Sequence, residues 1–252
     1  MITSVQDSAD AGSERFTLAV SHKFSPPSAL ATAISRPRLL ADIPENRSFA
    51  AVVVQGPAGY GKSTLMQQIY DHSTSTDVLT GWLTLDESDD DISRFNTLLC
   101  LLIHKTCEKR QAGDLYRPLA LGNSAVENLL DVLVNTPEPI AFFIDEFQTI
   151  SGSINIGLIN TLIERCPAHV TFYIGSRALP SLASGRLLIS GRIKLITAEE
   201  LCFTTKEVSG FLESVDLVVS ARVAEALREQ TGGWPAVLQL LHLALKGGRV
   251  DR

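Results

Sequence analysis

The chain has 252 residues, 45% hydrophobic and 20% charged, with a formal net charge of −6. That length and apolar content suffice for one large domain, or for a domain with a smaller appendage. The acidic balance, without a concentrated Lys/Arg run, argues against this segment holding nucleic acid by itself, because phosphate-backbone binding needs a basic face. Cys100, Cys107, Cys166 and Cys202 are too scattered for a zinc pattern and too few for a disulfide scaffold, so they read as reduced thiols. The first residues lack the basic start and apolar stretch of a signal peptide. No apolar run reaches membrane-spanning length, so a soluble, cytoplasmic protein with no membrane partner is expected.

In chain order, residues 1–22 are rich in Ser, Asp, Ala and Gly and read as a flexible tail. Ala51-Val52-Val53-Val54 is an unbroken β-branched run, as expected for a strand buried on both faces. Trp82 to Leu85, Ile140 to Ile144 and Val170 to Ile174 repeat the pattern, and Ile193 to Ile196 is a weaker fifth. Apolar strands separated by helical patterns predict an α/β fold, with a five-stranded parallel sheet sandwiched by helices. Ile92, Phe95, Leu98, Leu99, Leu102 and Ile103 recur at helical spacing behind aspartates able to cap the start. Ser124 followed by Glu127 reads as a capping box, and a further helix covers residues 155–165. Beyond residue 198 the strand signal fades. A second capping box at Thr204 and Glu207, then helices over roughly 205–214, 219–230 and 235–246, predict a small helical unit over 199–252 after a nucleotide-binding domain over 23–198.

The string from Gly56 to Thr64, GPAGYGKST, fits the P-loop pattern of Gly, four residues, then Gly-Lys-Ser. It follows a buried strand and opens a helical pattern with Leu65, Met66 and Ile69, which is the context the motif requires. Gly56, Gly59 and Gly61 allow backbone turns that a side chain would forbid. Successive N–H groups, those of Ala58 and Tyr60 among them, then face one concavity at a helix N-terminus, with Pro57, which has no N–H, in the same ATP-binding loop. Lys62 supplies a point charge for the β- and γ-phosphates, Ser63 a hydroxyl for magnesium, and Thr64 a contact to the α-phosphate. ATP or ADP with Mg2+ is the expected ligand.

Ile140 to Ile144 delivers Asp145 and Glu146 at the C-terminal end of a core strand, where open α/β sheets bind ligands. Asp145 suits magnesium coordination through water, and Glu146 suits general-base activation of an attacking water. The second carboxylate favours hydrolysis over phosphoryl transfer to a small-molecule hydroxyl. Tyr173-Ile174-Gly175-Ser176-Arg177 is another strand with a polar end. If that strand lies between the other two, Arg177 points towards the γ-phosphate; otherwise it is a surface arginine.

With these residues in view, nearly everything after residue 22 resembles the ATPase region of the MalT-like, large ATP-binding LuxR-type regulators, a STAND class of P-loop ATPases. The resemblance rests on Lys23-Phe24-Ser25-Pro26-Pro27, Ile34 to Leu40, GPAGYGKST, Gly81-Trp82 through Asp89, Arg94-Phe95, FFIDEF, GSR, Phe203-Thr204 and Thr231 to Ala236. It implies an ASCE-type P-loop fold, with the strand bearing Arg177 between the other two. It also implies Arg36 near the adenine with Arg38 as companion, and Pro235 packing from the helical unit onto the nucleotide. For Trp82 and for Asp89 or Asp91, core packing and helix capping are the expected roles. Such regulators carry an inducer-sensing region and a C-terminal helix-turn-helix that do not fit in 252 residues, so a fragment or a truncated relative is expected. DNA contact, a small-molecule or protein inducer, and self-association in the ATP state are what the resemblance implies for the intact family member. The competing readings are an AAA+ remodelling ATPase with Arg186 or Arg192 as a finger, a small-molecule kinase, and a non-hydrolysing ATP-binding module.

Overall fold

A computed structural model describes residues 19–41, 43, 49–107, 123–180, 187 and 189–247. Residues 1–18 of the expected tail, and Arg186, lie outside that set. Five strands form one sheet: β1 (Ala51–Gln55), β2 (Leu79–Thr84), β3 (Ile140–Asp145), β4 (Val170–Ser176) and β5 (Ile193–Ile196). Every pairing is parallel, in the order β2-β3-β4-β1-β5. β4 therefore sits between β1 and β3, and Arg177 leaves the sheet between the phosphate loop and the Asp145-Glu146 pair.

The unbroken apolar runs follow from this position, since β3 and β4 are buried along their whole length. Side chains alternate between the two faces. Trp82, Phe143 and Tyr173 stand on one face in direct cross-strand register and stack, with centroids 5.7 Å and 4.6 Å apart and near-parallel planes. Val52, Val54 and helix residues Leu65, Met66 and Ile69 complete that layer. Phe142 and Phe172 point the other way and pack with Phe95, Leu98, Leu102, Leu129, Ile159 and Leu162. Each such fully buried side chain contributes about 1.5–3 kcal/mol of transfer free energy.

Helix α1 (Pro37–Ala41) precedes β1, and α2 (Lys62–Thr74) covers the Trp82 face. α3 (Ile92–Cys107), α4 (Asn123–Val134) and α5 (Ser153–Arg165) cover the other. Asp91 caps α3 through its carboxylate, which accepts the Arg94 N–H at 2.9 Å. Asp89 is fully buried and accepts from Lys23 and Arg94 at 2.5 and 2.7 Å. Structural roles were expected for both, although Asp89 pins the segment before β1 as well as capping.

Two local expectations change. β2 starts at Leu79 and ends at Thr84, not over 82–85. Gly81 breaks the apolar run that marks the strand, yet α3 requires it, because a Cβ there would lie 2.1 Å from Thr106 Oγ1 and 2.9 Å from Leu102 Cδ1. α4 starts at Asn123, which places Ser124 inside the helix and not at its cap. Glu127, the other half of the expected capping box, instead forks its two oxygens onto Arg165 at 2.7 and 2.9 Å.

After β5 the chain is helical: α6 (Ala198–Leu201), α7 (Thr205–Ser214), α8 (Ala221–Thr231) and α9 (Pro235–Gly247). Thr197 with Glu200 and Thr204 with Glu207 form reciprocal capping boxes at α6 and α7. Phe203, Val208, Phe211, Leu212, Ala224 and Leu238 make a small core of their own, with Ile34 packed against it from before β1. None of the helices among the described residues is long and apolar enough to cross a membrane.

Candidate functional site

The loop after β1 is built by its glycines. Gly59 and Gly61 hold φ of +79° and +81°, in the left-handed region that ordinary side chains avoid. Gly61 is also the N-cap of α2, so the first helical amides open onto the loop. Lys62, only 5% exposed, donates from Nζ to the Pro57 carbonyl at 3.1 Å. Burial lowers its pKa and the nearby Arg177 adds to the shift, while the negative charges of Glu146 and Asp145 oppose it.

Across the loop, Asp145 ends β3 at 3% exposure. Burial pushes its pKa up; hydrogen bonds from the Ser63 side chain and from the Glu146 N–H, the latter at 2.9 Å, pull the other way. A hydroxyl and a carboxylate in contact beside a lysine are hard oxygen donors of the kind magnesium takes together with substrate phosphates. Among the described residues no cluster of three or more His, Cys, Asp or Glu could hold a metal ion without such help. Glu146 has φ +57° and ψ +35°, a left-handed conformation for a non-glycine residue. Strain of that kind costs about 1–2 kcal/mol and tends to persist at functional sites. Arg177 Nη2 reaches Glu146 Oε2 at 3.2 Å and is largely exposed.

Gly175 escaped the sequence reading of this wall. A Cβ there would fall 2.5 Å from Asp145 Oδ1 and 2.6 Å from Met66 Sδ, so the carboxylate and α2 close over a bare backbone. A glycine inside an otherwise buried strand was the available signal.

The helical unit closes the site from above. The Ala236 N–H donates to the Gly59 carbonyl at 3.1 Å, and Tyr60 stacks on Trp234 with centroids 5.7 Å apart. Gly233, at φ +70°, lies so close to the Phe203 backbone that a Cβ would meet its carbonyl oxygen at 2.4 Å. The Gly-Gly break is therefore what lets the chain turn back onto the loop. Between these walls is a cavity of about 380 Å³, within the range of small-molecule sites. Ala58, Gly59, Gly61, Lys62, Ser63 and Thr64 line its floor, Glu146 and Arg177 one side, and Pro235, Ala236 and Gln239 the roof. Leu30, Ile34, Phe203 and Phe211 make its far end apolar, suited to a flat base.

Arg36 lines the cavity too, yet its charge is already engaged. Nε donates to Glu207 Oε1 at 2.8 Å, Nη2 to the Leu201 carbonyl at 2.9 Å, and the guanidinium lies 4.8 Å from the Phe203 ring centroid. Arg38 turns to the same Glu207 at 3.1 Å and to the Glu200 and Cys202 carbonyls, and is not among the described lining residues. The same holds for Gly56, whose N–H is tied to the Ser176 carbonyl at 3.1 Å, for Pro57, and for Tyr60, which is spent on Trp234. The structure thus brings Lys62, Ser63, Asp145, Glu146 and Arg177 together, places Arg36 beside Phe203, and sets Pro235 in the roof next to Ala236, which is bonded to the phosphate loop. Arg192 lies at the sheet edge, its carbonyl accepting from the Ala50 N–H at 2.7 Å.

Residues 40–177 match the family model described as Nephrocystin 3, N-terminal. Among curated proteins, the chain is 27% identical over 229 residues to the HTH-type transcriptional regulator MalT of Cronobacter sakazakii, and 28% identical to that of Klebsiella pneumoniae subsp. pneumoniae. Each alignment covers 89% of this chain and 25% of the relative, so the chain spans about a quarter of their length. Among solved structures, Cdc6p from Pyrobaculum aerophilum superposes with a TM-score of 0.51 at 12% identity, covering 75% of this chain and 51% of that one, a likeness of fold.

Proposed function

The chain belongs to the Nephrocystin 3, N-terminal family, and from that premise we propose that this P-loop region is an ATP-operated switch within a transcription activator. One observation carries the reading: a single cavity is lined by Lys62 and Ser63 of the phosphate loop, Glu146 and Arg177 of the sheet, and Pro235 of the helical unit. A ligand filling it touches both the sheet and the helical unit, which supports a division into a nucleotide-binding domain over 23–198 and a lid over 199–252.

The base and ribose take the apolar end between Ile34, Phe203 and Phe211, and the phosphates take the loop amides and Lys62. A magnesium ion held by Ser63 and, through water, Asp145 would offset charge on the β- and γ-phosphates. Glu146 accepts the proton of the attacking water, whose oxygen bonds to the γ-phosphorus as the bond to the β-phosphate bridging oxygen breaks, leaving ADP and phosphate. Lys62 and Arg177 contact the γ-phosphate, the group that separates ATP from ADP. A switch moves only by its ligands' differential affinity for two arrangements, and reversing a 1:99 preference takes about 5.5 kcal/mol. Two charged contacts to the γ-phosphate are of a size to supply a large part of that. Slow hydrolysis, self-association in the ATP state, an inducer and DNA contact through a separate helix-turn-helix complete the proposal for an intact regulator of this kind.

The test is single-turnover hydrolysis of ATP by the parent and by Glu146→Gln, with bound nucleotide recovered and identified. The reading expects ADP from the parent and retained ATP from Glu146→Gln. Binding by both with release by neither would leave an ATP-binding module that does not hydrolyse.

A further inference from the structure

Glu146 does not stand alone at the cavity wall. Its Oε2 accepts from Arg177 Nη2 at 3.2 Å and from the side-chain amide of Gln148. The other end of that amide, Gln148 Oε1, accepts the Arg177 backbone N–H at 2.9 Å. Gln148 therefore spans the turn after β3 and the end of β4 with both of its polar atoms in use. Its orientation is dictated by its partners, an acceptor-only carboxylate on one side and a donor-only amide on the other. The turn that carries it is itself fixed. Phe147 is buried, Thr149 Oγ1 donates to the Glu146 carbonyl at 2.9 Å, and the Ile150 N–H donates to the Phe147 carbonyl at 3.0 Å.

We propose that Gln148 is the positioning residue for hydrolysis, holding the Glu146 carboxylate by Oε2 so that Oε1 faces the attacking water. The inference rests on the reading of Glu146 as the base. When the γ-phosphate draws the Arg177 guanidinium away, Gln148 is the contact that remains on Oε2. Because the same amide grips the Arg177 backbone, the base and the phosphate-sensing arginine keep one register. Neither a carboxylate nor an aliphatic residue at 148 replaces it: the carboxylate keeps the acceptor for Arg177 but loses the donor to Glu146 and repels it, and the aliphatic residue loses both contacts.

The experiment measures kcat and ATP affinity of the full chain carrying Gln148→Leu, Gln148→Glu, Glu146→Gln, or Glu146→Gln together with Gln148→Leu. General-base catalysis contributes about 10²–10⁴-fold, so a misaimed base is expected to forfeit about tenfold or more of kcat in both Gln148 variants. The loss should be larger in kcat than in ATP affinity, and Gln148→Leu should cost less kcat when Glu146 is Gln than it does in the parent. The nearly isosteric Gln148→Glu guards against a folding defect. Parental or raised kcat in either Gln148 variant, a loss expressed in affinity instead of kcat, or a loss on Gln148→Leu as large with Gln at 146 as with Glu would overturn the inference. Glu146→Gln turning over at the parental rate would instead remove the base assignment itself, and the two failures are therefore distinct.

Discussion

The Ala236 N–H donates to the Gly59 carbonyl at 3.1 Å, so the helical unit is hydrogen-bonded to the phosphate loop itself. Beside that bond Tyr60 stacks on Trp234. An aromatic pair of this kind is worth about 0.5–1.5 kcal/mol beyond its area. Trp234→Ala is therefore expected to weaken nucleotide binding about two- to tenfold without unfolding the sheet. Fluorescence offers a direct check, because Trp82 is buried in the core while Trp234 is partly exposed at the closure. Nucleotide should change the parental emission, and Trp234→Ala should lose that response.

Glu207 joins the two parts through a buried pair with Arg36, and as the third residue of α7 it also closes the capping box with Thr204. Removing one member of a buried pair typically costs about 3–5 kcal/mol, because the other charge is left without a partner. Glu207→Ala should lower the melting temperature sharply, and Arg38→Ala, whose side chain is more exposed, should do much less. Burial opposes ionisation of Glu207, but the Thr204 backbone N–H, Arg38 and Arg36 prevail and hold its pKa below the ordinary value. A depressed carboxylate contributes stability that is present above its ordinary pKa and is lost as pH falls through the folded value. The acid limb of the stability curve should flatten in Glu207→Ala.

A second acid-sensitive contact lies at Lys23, buried between Asp86 and Asp89 at 2.5 Å from each. The Lys23 hydrogen bond, helped by Ser88, holds the Asp86 carboxyl down at about 2. By the same sign, this contribution is present above pH ~4 and fades as pH falls towards 2. In Lys23→Met, an NMR titration should find the Asp86 pKa back near the usual aspartate range. An unchanged value would show that Ser88 alone holds it.

Gly175 gives a prediction specific to the metal. In Gly175→Ala the new methyl would contest the space of Asp145 Oδ1 and Met66 Sδ. Overpacking of that kind costs about 1–3 kcal/mol of stability. Displacing Asp145 should also reduce the gain in ATP affinity that magnesium confers. Titrating ATP with and without magnesium separates that effect from a general loss of folding.

The parts of the site legible in the sequence are contiguous strings whose chemistry is local: the phosphate loop, the acidic pair closing β3, and Arg177 closing β4. Strand order, which puts Arg177 beside them, followed from the resemblance. What stayed hidden depends on residues far apart in the chain. Arg36 meets Glu207, and Gly59 meets Ala236, through folding of the helical unit onto the loop, and no local pattern encodes either pair. Gly81 concealed the first half of β2 because its role is to make room for Thr106 and Leu102. Gln148 gave no signal, since a polar residue in a turn reads as solvated until both ends of its amide are seen in use.

Calorimetric titration of the folded chain with ATP and magnesium, for the parent and for Lys62→Ala, tests the central claim most directly. Saturable one-site binding by the parent and its loss in Lys62→Ala is the expected result. No binding by the parent, or equal binding by both proteins, would contradict it.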